Sequence, residues 1–476
     1  MLMRFSVIAV FLLNYCLLRS QTVSISDNIN IRNDNGYELL GRYKNNILLY
    51  RDKMIESEVM AFDEQMRMKW QKTIEFEDRR PQMLDVIGSK DYFSLVYRAK
   101  NRNGTIVKIS RFDAAADFVD SVVAVSYGNR PYNPQPQCLY SENRKSALIY
   151  NYDQNERIEA TVVDLDNLKV LWSHNIELSE NRRSNSRENI IVTNDGNAYF
   201  IFEKESNPGF FSRESPQFIV HKAGPRDNKT IRFTLQDFIC YDIAFGFDNL
   251  NRNLVGVALA SDKNKSKTSG TLFIRNLERD SISMNFFHFD DETAFAISGK
   301  KTGSKGLNDL KIRDLALRKD AGVVVLMEEL RQFSRSMNNL GVRPYAFNDP
   351  AAARITIDYY NEALVAVSFN PDGSRQWERI LPKKQFSQDD DAVYSSYGLM
   401  KTPAGMRLIF NDEIKSENTT SEYQLHGSGN VDRHSLFSTA GQDILLRFRD
   451  ALQIGPEEVI IPSEYRSKLR LVKMKF

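Results

Sequence analysis

The chain has 476 residues, of which 42% are hydrophobic, and it carries 64 basic against 62 acidic side chains. A chain so close to neutral has no electrostatic footprint for nucleic acid, and three cysteines exclude a disulfide framework. Beyond the N-terminus no stretch approaches the about 20 apolar residues of a membrane-spanning helix.

Arg4 precedes an apolar run over residues 5–18, and polar sequence begins at Arg19. One basic residue, a short apolar core and the small Ser20 read as a secretory signal over 1–20, cleaved before Gln21. The competing reading is a lipoprotein lipidated at Cys16. Asn14 and Tyr15 are larger than that processing expects. Loss of 1–20 removes Arg4, Arg19 and no acid, so 62 basic residues face 62 acidic ones. Residues 21–36 read as a lead-in, and 37–476 as one repetitive domain.

Three Trp recur in one pattern. Val59-Met-Ala-Phe-Asp63 leads to Trp70, Thr161-Val-Val-Asp164 to Trp172, and Val365-Ala-Val-Ser-Phe-Asn370 to Trp377. Each is an alternating apolar strand, an Asp/Asn turn and a second strand, which is the hairpin signal. Asn370-Pro-Asp-Gly373 states the turn chemistry openly, because Pro presets φ and Gly accepts a positive one. Counting the units without Trp, hairpins turn near residues 63, 113, 164, 224, 276, 370 and 427. Further strands precede them, such as Tyr92-Phe-Ser-Leu-Val-Tyr97 and Met406-Arg-Leu-Ile-Phe410. About four strands per roughly 50 residues predict an all-β fold, a single β-propeller of about seven four-stranded blades. A long insertion falls at about 290–351, and the strand at 469–476 is expected to help close the ring, removing an exposed edge. Two separate β domains are the structural alternative. Trp70, Trp172 and Trp377, repeated at one register, are expected to pack blade against blade. Cys138 and Cys240 fall in non-adjacent units and are expected to be separate thiols.

Turns joining third and fourth strands are short, whereas the opposite face carries long loops at 205–216, 261–270, 333–351 and 415–421. Links at 128–137, 179–187 and 383–391 lie on that same face. Long loops on one face of a rigid scaffold are where binding concentrates. Phe210, Phe211, Arg343, Tyr345 and Phe347 are its expected anchors, because aromatics and Arg dominate interface energies. Self-packing of those loops is the alternative. The five His form no metal spacing, although His426 and His434 could meet across a turn. No nucleophile elbow or phosphate loop is present. The acidic runs Asp389-Asp-Asp391 and Asp290-Asp-Glu292 read as solvated links, since the first lacks the turn Gly of a calcium loop. No catalytic residue, metal or cofactor is expected.

The chain resembles the exported β-propeller proteins of the Bacteroidota. The residues carrying this are Leu310-Lys-Ile-Arg-Asp-Leu-Ala-Leu-Arg-Lys-Asp320-Ala-Gly322-Val-Val-Val-Leu-Met-Glu328-Glu329, the Asn370-Pro-Asp-Gly373…Trp377 hairpin, and Lys384-Gln385…Asp390…Tyr394-Ser-Ser-Tyr397. A mature chain beginning at Gln fits that group. The resemblance implies export to the periplasm or outer membrane and carries no catalytic residues. The expected function is a non-catalytic scaffold of the cell envelope, docking a protein partner, such as an outer-membrane complex, through the long-loop face. The alternative is a glycan-binding protein or hydrolase with its site at the channel mouth.

Overall fold

A computed structural model describes residues 21–476 except 54–55, 79–80, 155–156, 179–186, 205–215, 227, 263–266, 279–281, 299–306, 308, 339–352, 413 and 415–418. Its strands form eight antiparallel sheets around a central channel. Seven are consecutive in sequence: blade 1 (34–74), blade 2 (82–128), blade 3 (137–177), blade 4 (188–234), blade 5 (238–288), blade 6 (310–388) and blade 7 (398–438). The fold is a β-propeller, with eight blades rather than seven.

The eighth blade explains the miscount. Leu452–Gly455, Glu458–Tyr465 and Lys468–Lys475 supply its first three strands, and Thr22–Ile25 supplies the fourth. Thr22 pairs with Lys475 and Ile25 with Val472. Every other blade announces itself by a hairpin between its third and fourth strands. In blade 8 those two strands lie at opposite ends of the chain, so no hairpin is there to count. The segment 21–36 thus holds a strand of the ring itself, and part of the 290–351 segment is blade 6: its strands Leu310–Leu317 and Val323–Asn338 lie there with the helix Asp291–Ser298.

Four of the hairpins share one turn. At Asp63, Asp113, Asn370 and His426 the N–H three residues on donates back to the carbonyl, from Met66, Ala116, Gly373 and Gly429, at 2.9, 3.0, 2.9 and 2.9 Å. Those four donors take φ of 62°, 57°, 92° and 86°. A type I turn followed by a left-handed residue matches the twist of the flanking strands. Asp63 and Asp113 also accept the N–H two residues on, from Gln65 at 2.9 Å and Ala115 at 2.8 Å, which is why Asp recurs there.

There is no single core. Eight apolar clusters each join two neighbouring blades, so the ring is held by its interfaces. The three Trp belong to this system. Each pairs with Ala61, Val162 or Ser368 beside a one-residue bulge in the outermost strand, and a bulge re-aims a side chain. Trp172 Nε1 donates to the Gly196 carbonyl of blade 4 at 2.7 Å, and Trp377 Nε1 to Gly427 of blade 7 at 3.1 Å. Trp70, half-buried, packs on the cluster between blades 1 and 2. Near the channel, Asp242 accepts the Ile312 N–H at 2.8 Å and Asp314 accepts the Tyr397 hydroxyl at 2.6 Å, each latching one innermost strand to the next blade. Cys138 and Cys240 are separate free thiols. Burial pushes both up, Cys240 to about 12.

Deleting residues 21–26 removes the fourth strand of blade 8 and the Ser26 bonds to Leu471, at 3.0 and 2.9 Å. The thermal midpoint is expected to fall by about 4 °C or more, with new proteolysis near 468–475 as that edge opens. An unchanged midpoint and digest would show that the closure is dispensable.

Candidate binding face and channel mouth

Blade 6 is built unlike the others. Its second and third strands, Val323–Asn338 and Ala353–Phe369, run 16 and 17 residues. The outermost strand Arg375–Leu381 pairs only with Leu364–Phe369, and the innermost reaches only Glu329. From the pair Leu330–Asn361 to the pair Asn338–Ala353 the hairpin therefore continues alone, as an arm on the face of second-to-third loops. Residues 333–338, expected as loop, continue the strand. Gln385–Gln388 pairs with Asp358–Asn361 and adds a third strand at the arm's foot.

Side chains directly opposite across strands share a face. Arg331, Tyr360 and Phe386 form one row, and Phe333, Asp358 and Gln388 the next. The rings of Phe333 and Tyr360 lie 5.8 Å apart, those of Tyr360 and Phe386 5.0 Å, and the Arg331 guanidinium sits 5.7 Å over Tyr360. Phe333 is 51% exposed and Phe386 45%. Arg335 reaches Asp358 at 2.5 Å and holds its carboxyl below the usual range. The expected anchors Phe210, Phe211, Arg343, Tyr345 and Phe347 lie outside the described residues.

The foot of the arm rests on buried charge. Glu328 and Lys383, both fully buried, meet at 2.5 Å. Glu328 also accepts the Ser396 hydroxyl at 2.8 Å and faces Arg313 at 3.4 Å. Lys383 donates to the Asn361 carbonyl at 3.2 Å and to Gln385 at 2.5 Å. Burial lowers the Lys383 pKa, against the pull of Glu328.

From there a link runs to the channel. Asp389 exchanges bonds with Ile357 at 3.0 and 2.8 Å, and Tyr359 donates to Asp391 at 3.0 Å. Tyr394 donates to the Glu464 carbonyl at 2.9 Å. Asp389, Asp391, Ala392 and Ser396 all take positive φ, between 52° and 72°, a cluster of strain that only well-fixed surroundings sustain. The acidic run thus carries structure, and Asp290 caps its helix through Thr293 N–H at 2.7 Å. His426 meets Asp432 at 3.1 Å across its turn. Among the described residues no three His, Cys, Asp or Glu converge as metal ligands.

The channel mouth opens into a cavity of about 670 Å³ lined by Tyr37, Glu38, Tyr140, Arg144, Arg449 and Asp450, among others. Glu38 stands on the innermost strand of blade 1 (Asp34–Tyr43), and Arg449 lies just before that of blade 8. Arg447, also in the lining, bonds Asp450 at 2.6 Å and Glu464, and sits 5.9 Å over Tyr37. Arg144 donates to the Gly88 carbonyl at 2.9 Å and sits 5.8 Å over Tyr140. Glu38 is open to the cavity yet walled closely. Burial, then Asp85 and Asp450, raise its pKa to about 7 against the pull of Arg144. None of these channel residues was singled out in the sequence, and no motif marks them, because they meet only when the ring closes.

Lys383→Met leaves Glu328 buried without its ammonium and is expected to cost about 3–5 kcal/mol in urea unfolding. Adding Glu328→Gln is expected to recover most of that loss. A single variant as stable as its parent would remove the pair's structural importance. For Glu38, the folded protein keeps a proton between pH 4.5 and about 7 that the unfolded chain has released. Its stabilisation is full below the lower value and is lost as pH rises through the upper. Glu38→Gln should therefore match its parent near about pH 4 and exceed it near about pH 8 in urea midpoint.

No protein-family model and no curated protein matches the chain. Solved structures show distant likeness. BamB from Moraxella catarrhalis is 11% identical over 96% of this chain and 100% of that one, with a TM-score of 0.35. The polysaccharide lyase Uly1 is 6% identical over 84% and 94%, with a TM-score of 0.39. The WD40 domain of SCAP from fission yeast is 8% identical over 84% and 92%, with a TM-score of 0.32. Scores this low carry no argument, and the propeller assignment stands on the strand pairing above.

Proposed function

We propose that the chain is an exported, non-catalytic scaffold of the bacterial cell envelope that docks a protein partner, such as an outer-membrane complex, on the face of the blade 6 arm. The single observation that carries this reading is the aromatic patch of Phe333, Tyr360 and Phe386 across two adjacent rows, its outer rings Phe333 and Phe386 exposed, with Arg331 stacked on Tyr360. Aromatic and Arg side chains grouped on a firm support are the composition of interface hot spots. A projecting hairpin stiffened by a third strand loses little conformational freedom on docking. The leader expected at 1–20 and the resemblance to exported Bacteroidota propellers motivate the periplasm or the outer membrane as its place. No helix among the described residues is long and apolar enough to cross a membrane. At the channel mouth, the alternative site, the open charges of Glu38 and Arg449 favour a charged ligand over a neutral glycan.

The test is recovery of partners by a tagged copy from detergent-solubilised envelopes of the native host. The variant changing Phe333, Tyr360 and Phe386 to Ser is expected to lose the partner, each ring contributing about 2 kcal/mol or roughly 30-fold, with an unchanged urea midpoint. Recovery of the same partner at the same yield by that variant would refute docking on the arm.

A further inference from the structure

Most charges around the channel cavity are spoken for. Asp34 is bound by Arg51 at 2.8 and 3.0 Å, and Asp450 and Glu464 are bound by Arg447. Arg144 is engaged with Gly88 and Tyr140. Two side chains are left over. Glu38 and Arg449 line the same cavity, and neither has a hydrogen bond or ion pair among the described residues, with each other or with anything else. A charge in a walled cavity is poorly solvated, so a ligand that pairs with it gains more than it would at an open surface.

We propose that the channel mouth binds a short zwitterionic ligand, of the class of a peptide with free termini, its ammonium held by Glu38 and its carboxylate by Arg449. An anion alone would leave Glu38 unpaired and repelling it, and a cation alone would do the same with Arg449. A ligand with both charges satisfies both. The volume of about 670 Å³ lies within the range of small-ligand pockets and exceeds the needs of one amino acid. Tyr37 and Tyr140 give the walls apolar surface, and the buried Tyr37 hydroxyl has no hydrogen-bond partner among the described residues, leaving a polar atom for the ligand's backbone. The groups facing Glu38 come from three other blades: Asp85 from blade 2, Tyr140 and Arg144 from blade 3, and Asp450 from the approach to blade 8.

The experiment is calorimetric titration of residues 21–476 with trialanine, N-acetyl-trialanine and trialanine amide. Trialanine is expected to bind, and each blocked form at least about tenfold more weakly. Glu38→Gln should abolish discrimination against the acetylated form alone, and Arg449→Gln discrimination against the amide alone, which a general loss of structure could not produce. Because the ammonium pairs with ionised Glu38, affinity should strengthen by up to about tenfold from about pH 5.5 to about pH 7. The arm variant should bind trialanine like its parent, so this site and the docking arm fail separately. No binding of trialanine at about 10 mM, blocked forms that bind as tightly as trialanine, or a reversed pH trend would each overturn the assignment.

Discussion

The contact between Glu328 and Lys383 is the one on which the distinctive part of the molecule depends. Taking two charges fully out of water is costly and is repaid only when geometry and accessory bonds are good. Here the accessory partners are the parts to be fixed. Asn361 and Gln385 belong to the two strands that meet at the arm's foot, and Ser396 belongs to the link toward the channel. One buried pair thus decides where the hairpin departs from blade 6 and how the strained link returns. Apolar residues of the same volume would fill the space but would not specify these three directions.

Much of the ring was legible because its signals are local. Asp63 and Asp113 bond their own turns, and Trp70 and Trp377 each follow their turn residue, Asp63 and Asn370, by seven positions, so the period shows in the residues themselves. Blade 8 has the same strands without the local signal, since Thr22–Ile25 and Lys468–Lys475 meet from the two ends. The arm was half legible. The stretch after Gly322 stood out as strand, and the residues beyond Leu330 looked like loop because their charged and aromatic side chains do not alternate with apolar ones. They lack that pattern because the arm has no core to face.

The channel cavity was not legible at all. Glu38, Arg144 and Arg449 lie in three different blades or their approaches, and each taken singly is an ordinary surface charge. Burial by the walls of a ring, and the neighbours a ring supplies, make them unusual. The same holds for Gln385, which reads as one more polar residue in a link. Buried at 1% exposure, it donates to the Asn411 and Ser396 carbonyls at 2.7 and 3.2 Å.

The sewing of Thr22–Ile25 to Lys468–Lys475 also sets an order of events. During synthesis the first of these strands emerges before any of its neighbours, and its partner emerges only after the strands of blades 1 to 7. Until then the ring stays an open arc with apolar blade flanks bare at both ends. Contacts this distant in sequence form slowly, and bare flanks and strand edges invite association with other chains. The protein is therefore most in need of a holding chaperone in the interval between the arrival of these two strands, and a stall late in synthesis is more hazardous to it than one midway.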